Sequence, residues 1–319
     1  MFNWTPSGTR LTLPLICAPM FIVSGPELVV AQCKAGVVGS FPALNARPSG
    51  VLDEWLARIH EELRAHDAAH PERPAAPFAV NLIVHKSNAR LDEDLAACVR
   101  HRVPIVITSL GARADVNAAI HAYGGIVLHD VTNIAHAHKA VERGADGLIA
   151  VAVGAGGHAG VLSPLALIQE IREWWNGPLL LSGAIATGRS LLAARIMGAD
   201  LGYAGSCFIA AREANADPAY KDMIVGGCAA DILYTDAFSG ISGNYLRPSI
   251  IGAGLDPDKL PPRTESPTVG ADTPKTWRDI WGAGQGIGAV KAVEPVSAIV
   301  ARMVADYEDA LRAACALAR

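Results

Sequence analysis

The alternation of short apolar runs with amphipathic stretches, from about residue 11 to residue 212, constrains the fold of this chain more than any other feature. Each run has the length of a strand, and each stretch that follows has the length and periodicity of a helix. The strand candidates are Leu13–Ala18, Val37–Ser40, Phe78–Leu82, Ile105–Ser109, Ile126–His129, Gly147–Val153, Leu179–Ser182 and Leu201–Ala204. The helix candidates are Gly25–Ala35, Val51–His66, Leu91–Arg100, Ala112–His121, Asn133–Arg143, Pro164–Trp174, Ser190–Met197 and Pro218–Ile224. Eight strand–helix units predict a (β/α)8 barrel, an α/β fold that binds ligands at the carboxyl ends of its strands.

Two of the predicted helices end in the tripeptide Gly-Ala-Asp, at 144–146 and 198–200. Glycine suits the left-handed residue that ends a helix just before the next strand. A doubly wound parallel sheet is the alternative arrangement of the same units. The dinucleotide fingerprint Gly-x-Gly-x-x-Gly is absent after the first strand, where Ala18, Pro19 and Met20 stand, and the sequence therefore favours the barrel.

The chain divides into three predicted parts. Residues 1–225 form the barrel. Residues 226–290 are rich in glycine, proline and small polar residues and predict an irregular excursion, which is a lid, a subunit contact or a surface decoration. Residues 291–319 predict a closing helix packed on the barrel, because the stretch from Pro295 is amphipathic. Its apolar positions are Val296, Ile299, Val300, Met303, Tyr307 and Leu311.

Composition and charge restrict the classes of protein to which the chain can belong. Its 319 residues are 51% hydrophobic, which indicates a buried core and argues against an intrinsically disordered chain. The net charge of −4 and the absence of a lysine- or arginine-rich block argue against nucleic-acid binding. Without a signal-peptide pattern or an apolar run of membrane-spanning length, we expect a cytoplasmic protein with no membrane contact. The six cysteines include no Cys-x-x-Cys pair, so neither a disulfide framework nor a metal site is expected.

A glycine-rich segment at 154–160 directly follows the apolar run at 147–153 and carries a single histidine, His158. Four glycines in seven residues remove side chains from the turn, so its backbone can approach a flat or phosphorylated ligand closely. The imidazole of His158 would supply the chemistry, because its ordinary pKa lies near neutrality. The alternative is that the glycines only form a tight turn and that His158 is a hydrogen-bonded structural residue.

The carboxyl ends of the eight predicted strands would form one rim, and only a barrel makes their residues neighbours. This rim collects Pro19, Met20, Asn81, Ser109, His129, Asp130, Gly156, Gly157, His158, Ser182, Gly183, Ala184, Gly205 and Ser206. Small-residue turns that open short helices follow the last two strands, at 182–188 and 204–208. Backbone amides at helix amino termini, together with the Ser206 hydroxyl, predict a cradle for the phosphate of a ligand. Ordinary strand-to-helix turns are the alternative.

These turns belong to a set of motifs that extends over nearly the whole chain. The motifs lie at 14–20, 81–82, 155–160, 182–188, 205–208, 235–240 and 281–286. In them the chain resembles the nitronate monooxygenase family, also called 2-nitropropane dioxygenases, whose members are FMN-dependent (β/α)8 barrels. The Ala-Gly-Gly-His-x-Gly segment at 155–160 is the most specific of these motifs.

The resemblance implies a role for each matching position. Ala18, Pro19, Met20 and Asn81 would contact the isoalloxazine ring of FMN, and Gln285 would close over it. Gly157, Gly183, Gly205 and Ser206 would bind the phosphate, and the rim residues His129, Gly156, Ser182 and Ala184 are assigned to the same cofactor site. His158 would be the catalytic residue, which either holds an anionic nitro or nitronate group or takes a proton from the neighbouring carbon.

Three positions depart from the family pattern. Gly154 stands where many relatives carry glutamate, and Asp130 follows His129 where a basic residue is common. The segment 240–247 replaces a Gly-Arg-Pro-x-Arg run.

The implied activity is the oxidation of alkyl nitronates, and of nitroalkanes as a second class, by molecular oxygen to a carbonyl compound and nitrite. FMN would carry the electron transfer while the protein positions the substrate. Two other functions are compatible with the same residues: an NAD(P)H-dependent FMN reductase of quinones or enoyl thioesters, and a flavin-binding protein without catalysis. The small-molecule substrate and oxygen are the expected partners, with a homodimer as the possible assembly.

Overall fold

A computed structural model describes residues 10–48, 50–260 and 278–317. Its strands are β1 (Leu15–Cys17), β2 (Gly39–Pro42), β3 (Phe78–Ile83), β4 (Ile105–Ser109), β5 (Ile126–Val131), β6 (Gly147–Val151), β7 (Gly157–His158), β8 (Leu179–Ser182), β9 (Leu201–Ala204), β10 (Ile232–Thr235) and β11 (Gly243–Leu246). Its α-helices are α1 (Pro26–Lys34), α2 (Val51–Ala69), α3 (Leu91–Arg100), α4 (Ala114–His121), α5 (Ile134–Glu142), α6 (Pro164–Arg172), α7 (Gly188–Ile196), α8 (Ser206–Ile209), α9 (Pro218–Gly226), α10 (Arg247–Gly252) and α11 (Val296–Leu317).

Eight parallel strands form the main sheet, in the order β1-β9-β8-β6-β5-β4-β3-β2. The two outermost strands also meet. The Cys17 amide donates to the Val38 carbonyl at 2.8 Å, and the Val38 amide donates to the Leu15 carbonyl at 3.1 Å. The sheet therefore closes on itself, and the predicted (β/α)8 barrel is confirmed.

Both faces of the barrel sheet are buried, which explains why its strands are almost continuously apolar. Successive side chains alternate between the barrel interior and the surrounding helices. On β5, Leu128 belongs to the interior cluster with Ile107 and Ile149. Its neighbours Val127 and Val131 belong instead to the clusters that include the helices.

The Gly-Ala-Asp tripeptides end their helices as predicted. Gly144 and Gly198 have φ values of 91° and 112°, the left-handed conformation that favours glycine. The aspartates that follow accept hydrogen bonds from backbone amides of neighbouring strands. Asp146 Oδ2 accepts from the Val127 amide at 2.7 Å, and Asp200 Oδ2 accepts from the Leu179 amide at 2.9 Å.

A second, three-stranded antiparallel sheet joins the excursion to the glycine-rich segment. It consists of β10, β11 and β7, with His158 opposite Gly243 and Gly157 opposite Asn244. The composition of 226–290 predicts irregular chain, whereas its described residues include this hairpin, in which the Ile232–Thr235 run forms β10 beside β11. Gly243 permits the approach to β7, since a Cβ atom there would lie 2.7 Å from the Gly157 carbonyl oxygen. The three-part division of the chain remains a proposal.

The closing helix α11 packs on α7. A Cβ atom at Gly188 would lie 2.0 Å from the Met303 carbonyl oxygen, so only glycine fits there. Of the predicted apolar positions, Val296, Ile299, Val300 and Met303 are buried, whereas Leu311 is exposed. Among the helices that the structure describes, none has the length and apolar character needed to span a membrane.

Candidate active site

The inner layer of the barrel changes from apolar to polar at the carboxyl ends of the strands. Side chains alternate along each strand, and one inward position near the carboxyl end of each of β3, β4, β5, β8 and β9 is polar; these five positions are called the polar layer. They are Asn81, Ser109, Asp130, Ser182 and Tyr203. An apolar barrel core has no structural need for these groups, so the layer marks the candidate site.

Three members of this polar layer form a hydrogen-bonded row across adjacent strands. The Asn81 Nδ2 atom donates to Ser109 Oγ at 2.7 Å and to the Ile107 carbonyl at 3.0 Å. Ser109 Oγ in turn donates to Asp130 Oδ2 at 2.5 Å. Burial raises the pKa of Asp130 from 3.8 to about 6, against the lowering effect of the Ser109 bond.

His129 does not join the other predicted site residues. It lies one position before Asp130 on β5, and its side chain therefore points to the opposite face, toward the helices. Its Nδ1 atom is 2.6 Å from Thr108 Oγ1, and burial lowers its pKa to about 4, with smaller effects from His136 and Lys139 of α5. We accordingly replace His129 with Asp130 in the candidate cofactor site. Asp130 stood in the predicted rim but was not assigned to the cofactor.

A small cavity lies where the predicted phosphate turns meet the glycine-rich segment. It is lined by Gly154, Ala155, Gly156, Ser182, Gly183, Ala184, Ile185, Ala186, Tyr203, Ala204, Gly205, Ser206, Gly284 and Gly286. Six of these were predicted site residues: Gly156, Ser182, Gly183, Ala184, Gly205 and Ser206. None of the lining residues is a lysine or an arginine, so backbone groups and hydroxyls make up its polar surface.

The turn after β8 has a backbone that few residue types can adopt. Gly183 has a φ of 146°, and a Cβ atom there would lie 2.8 Å from the Val153 carbonyl oxygen. The next residue, Ala184, has a φ of 54°, which is uncommon for a residue other than glycine. Such strain is typical of sites where the backbone itself contacts a ligand.

The excursion is hydrogen-bonded to the wall of this cavity. The Gly284 amide donates to Ser206 Oγ at 2.8 Å, and the Gln285 amide donates to the Gly154 carbonyl at 2.9 Å. The Asn244 side chain donates to the Ala155 carbonyl at 2.6 Å. Gln285 is exposed beside the cavity, where a Cβ atom on Gly154 would lie 3.1 Å from its Oε1 atom.

The corner after β1 lies beside the turn after β9, as closure of the barrel requires. A Cβ atom on Gly205 would lie 3.4 Å from Ala18 Cβ and 3.5 Å from Met20 Sδ. Ala18, Pro19 and Met20 are half-buried. The Met20 backbone is fixed by Ser24 Oγ, which accepts from its amide, and by Asn45 Nδ2, which donates to its carbonyl.

His158 is half-buried on β7, two residues beyond Gly156 of the cavity wall. Its Nε2 atom is 2.8 Å from Ser239 Oγ. Burial lowers the pKa of His158 below its ordinary value of 6.5, so the imidazole is neutral at neutral pH. Ser239 Oγ also lies 3.0 Å from the Ile241 carbonyl and 3.2 Å from the Tyr245 hydroxyl.

The single proton of the Ser239 hydroxyl has two acceptors within reach, the Ile241 carbonyl and His158 Nε2. When Ser239 donates to Ile241, His158 Nε2 donates to Ser239, and the lone pair of the ring lies on Nδ1. Sequence reasoning included Ser239 in a matching motif but gave it no role, because nothing local to 235–240 shows that it meets residue 158.

Among residues 10–48, 50–260 and 278–317, no cluster of three or more histidine, cysteine, aspartate or glutamate side chains is arranged to hold a metal ion. The arrangement offers a backbone-lined cavity whose wall includes Gly156, two residues before His158, and Ser182 and Tyr203 of the polar layer. It can hold a phosphorylated, flat ligand and move a proton next to it.

Comparison with known proteins gives consistent results. The nitronate monooxygenase family profile matches residues 7–262. A nitronate monooxygenase of Paraburkholderia phytofirmans is 27% identical over 292 residues, which cover 79% of this chain and 78% of that protein. Nitroalkane oxidase of Streptomyces ansochromogenes superposes with a TM-score of 0.76 at 24% identity, covering 95% of this chain and 98% of that one. FabK of Thermotoga maritima superposes with a TM-score of 0.77 at 21% identity, covering 96% of both chains.

Proposed function

Since the chain belongs to the nitronate monooxygenase family, an oxidoreductase family, we propose that it uses FMN and molecular oxygen to oxidise alkyl nitronates to a carbonyl compound and nitrite. Nitroalkanes are the second substrate class. The observation that carries this proposal is the cavity of strained backbone turns beside His158. In the reaction, two nitronates would share one O2 molecule: each nitronate carbon gains one oxygen atom as its carbon–nitrogen bond breaks, and each releases nitrite, so that atoms and electrons balance.

The residues present fit the phosphate end of FMN. The turns at Gly183 and Gly205 approach each other without side chains, and a Cβ atom at Gly156 would lie 2.8 Å from the Gly284 nitrogen. Such crowding reserves the cavity for backbone contacts with a ligand. Gly156, Gly183, Ala184, Gly205 and Ser206 would hold the phosphate, with Ser182 at the base of the turn, whereas Gly157 lies on β7 outside the cavity lining.

The polar layer and the corner after β1 fit the flavin ring of the same cofactor. Asn81 of the polar layer and the half-buried Ala18, Pro19 and Met20 would contact the ring, and Gln285 would cover it. When bound, FMN supplies the capacity to accept electrons from the substrate and to pass them to oxygen.

His158 is the proposed base that removes a proton from a nitroalkane substrate. Because burial keeps its ring neutral, its lone pair can accept a proton from the carbon next to the nitro group of a nitroalkane. The proposal requires the tautomer in which Nε2 donates to Ser239, since that tautomer leaves the lone pair of the ring on Nδ1. A nitronate has already lost this proton, and for it His158 only positions the nitro group.

Anaerobic titration of the purified protein tests the proposal. We expect the protein to retain FMN, and we expect its flavin absorption band to bleach on addition of a nitronate. Admission of oxygen should then yield the carbonyl compound and nitrite. Bleaching by NADH or NADPH but by no nitronate would instead identify a reductase. A colourless protein that FMN cannot reconstitute would overturn the cofactor assignment.

Two further expectations, a cytoplasmic location and a homodimer, remain predictions. Light scattering of the purified protein tests the second.

A further inference from the structure

Asp130 of the polar layer is a buried carboxyl group without a cationic partner among the described residues. Asp130 retains some exposed surface as a residue, but its Oδ1 atom is buried and no group of the described residues hydrogen-bonds to it. The other oxygen, Oδ2, accepts the bond from Ser109. A buried carboxylate oxygen without a partner is costly, so it points to a ligand or a proton that completes it.

The hydrogen-bonded row determines which oxygen atom of Asp130 is available to a ligand or a proton. Asn81 donates to Ser109, and Ser109 uses its single proton to donate to Asp130 Oδ2. Neither group can reach or satisfy Oδ1. Any proton that Asp130 carries is therefore on Oδ1, and that proton has no acceptor in the described chain.

Within the part of the chain that the structure describes, no cationic side chain acts on the Asp130 carboxyl, whose pKa is set by burial and by Ser109. The titratable group facing it from across the barrel is Tyr203 of β9, whose pKa burial raises well above its ordinary value, so it is neutral. Beside Asp130 in the sheet lie Ile149 of β6, which is its register partner, and Ser109 of β4. The adjacent His129 faces the helices on the other side of the strand.

Tyr203 also lines the small cavity proposed for the phosphate. This residue therefore connects the hydrogen-bonded row to the proposed cofactor site. The phosphate turns follow β8 and β9, whereas the row occupies β3, β4 and β5 on the other side of the mouth. A flat ring that reaches across the mouth from these turns would meet the row, whose member on β5 is Asp130.

We propose, on the basis of the proposed function, that Asp130 takes up a proton on Oδ1 when the flavin is reduced and then donates a hydrogen bond from that oxygen to an acceptor on the flavin ring. Reduction adds two electrons to the ring and so adds negative charge beside the carboxyl. The proton comes from solvent and binds Asp130 Oδ1, and it returns to solvent when oxygen removes the electrons. No covalent bond to carbon, nitrogen or sulfur changes in this step. Asp130 thereby offsets part of the negative charge of the reduced cofactor without a permanent cation.

The first test is infrared difference spectroscopy of the FMN-loaded protein, reduced minus oxidised, without oxygen at about pH 7.5. We expect a protonated-carboxyl band to appear on reduction, to shift in D₂O and to be absent in Asp130→Asn. The matched control is Asp222→Asn, at an exposed acid of α9, which should keep the band. A band that persists unchanged in Asp130→Asn overturns the proposal.

The second test counts protons. In weakly buffered solution near pH 7.5, with an indicator dye, the wild-type protein should take up more protons per flavin reduced than Asp130→Asn, by up to one. Equal uptake by the two proteins overturns the proposal even if both bind FMN. Failure of the wild-type protein to bind FMN would instead overturn the proposed function on which this inference rests.

The Ser109→Ala variant tests the same proposal if Asp130→Asn does not fold or does not bind FMN. This variant removes the bond that favours the anion, so Asp130 should already be protonated in the oxidised protein at a higher pH than in the wild type. The reduction-induced carboxyl band should then weaken or shift. An unchanged spectrum and unchanged proton uptake in Ser109→Ala would overturn the role of Asp130.

Discussion

The His158 Nε2 atom lies 2.8 Å from the Oγ atom of Ser239, which stands 81 residues later in the chain. The bond joins the glycine-rich segment of the barrel to the excursion. The excursion therefore orients the proposed base, in addition to bordering the cavity.

Replacement of His158 by alanine should leave FMN content intact and slow flavin reduction. For a nitroalkane, loss of a general base predicts a decrease of roughly 10²–10⁴-fold. For a nitronate the decrease should be smaller, because no carbon proton has to be removed. Stopped-flow reduction, normalised to bound flavin, measures both. Equal losses would favour an electrostatic clamp, and normal rates with both substrates would refute the catalytic role.

Replacement of Ser239 by alanine should weaken the orientation of the His158 ring. A neutral hydrogen bond contributes about 0.5–1.5 kcal/mol, which corresponds to a decrease of about 2- to 10-fold in kcat/KM for a nitroalkane. The pKa of His158 is lowered by burial, so the acid limb of the wild-type profile should lie below pH 6.5. Ser163→Ala, at an exposed serine without a side-chain cap bond, is the control. A Ser239→Ala profile and kcat/KM identical to the wild type would show that Ser239 does not orient His158.

Replacement of Gly183 by alanine should abolish most FMN binding. The new Cβ atom would meet the Val153 carbonyl at 2.8 Å, and the φ of 146° is unfavourable for alanine. Strain of about 1–3 kcal/mol at such positions would distort the turn that holds the phosphate. The control is Gly252→Ala, in the last position of α10, where nothing lies within 4 Å of a Cβ atom. Equal FMN dissociation constants for the two variants would remove Gly183 from the site.

Replacement of Ser206 by alanine should weaken FMN binding modestly, and replacement by glutamate should weaken it severely. The alanine variant loses one neutral hydrogen bond to a ligand, of about 0.5–1.5 kcal/mol, and it also leaves the Gly284 amide without its acceptor. Glutamate adds negative charge to a cavity proposed for phosphate. Equilibrium dialysis measures both effects, and full FMN retention in Ser206→Glu would show that Ser206 lies outside the phosphate site.

Replacement of Asp130 by asparagine should stabilise the FMN-free protein increasingly as pH rises. The pKa of Asp130 is raised from 3.8 to about 6, so the folded state binds more protons than the unfolded state between these values. Wild-type stability is therefore lost as pH rises through this window, by at most about 3 kcal/mol. Urea unfolding at pH 4 and pH 7.5 gives the difference. If Asp130→Asn shows the same pH dependence as the wild type, Asp130 does not titrate in this range.

The sequence predicted the barrel from its eight strand–helix units, and the structure confirms it. The left-handed glycines at 144 and 198 were likewise predictable, because the conformation that ends a helix depends on local sterics. The predicted turns at 183 and 205 do come together around one cavity, since barrel closure makes the ends of distant strands neighbours. The role of these residues in binding FMN stays a prediction.

Only the tertiary structure decided which residue of the pair His129 and Asp130 faces the interior. Alternation places the two side chains on opposite faces, but a parallel strand covered by helices on one side and by the barrel core on the other is apolar on both. The pattern therefore cannot show which face is inward. The pairing of β11 with β7 was also beyond the sequence, because a contact such as Ser239 with His158 depends on how two distant segments pack. Local periodicity determined the elements of this protein, and long-range packing determined which side chains meet at its site.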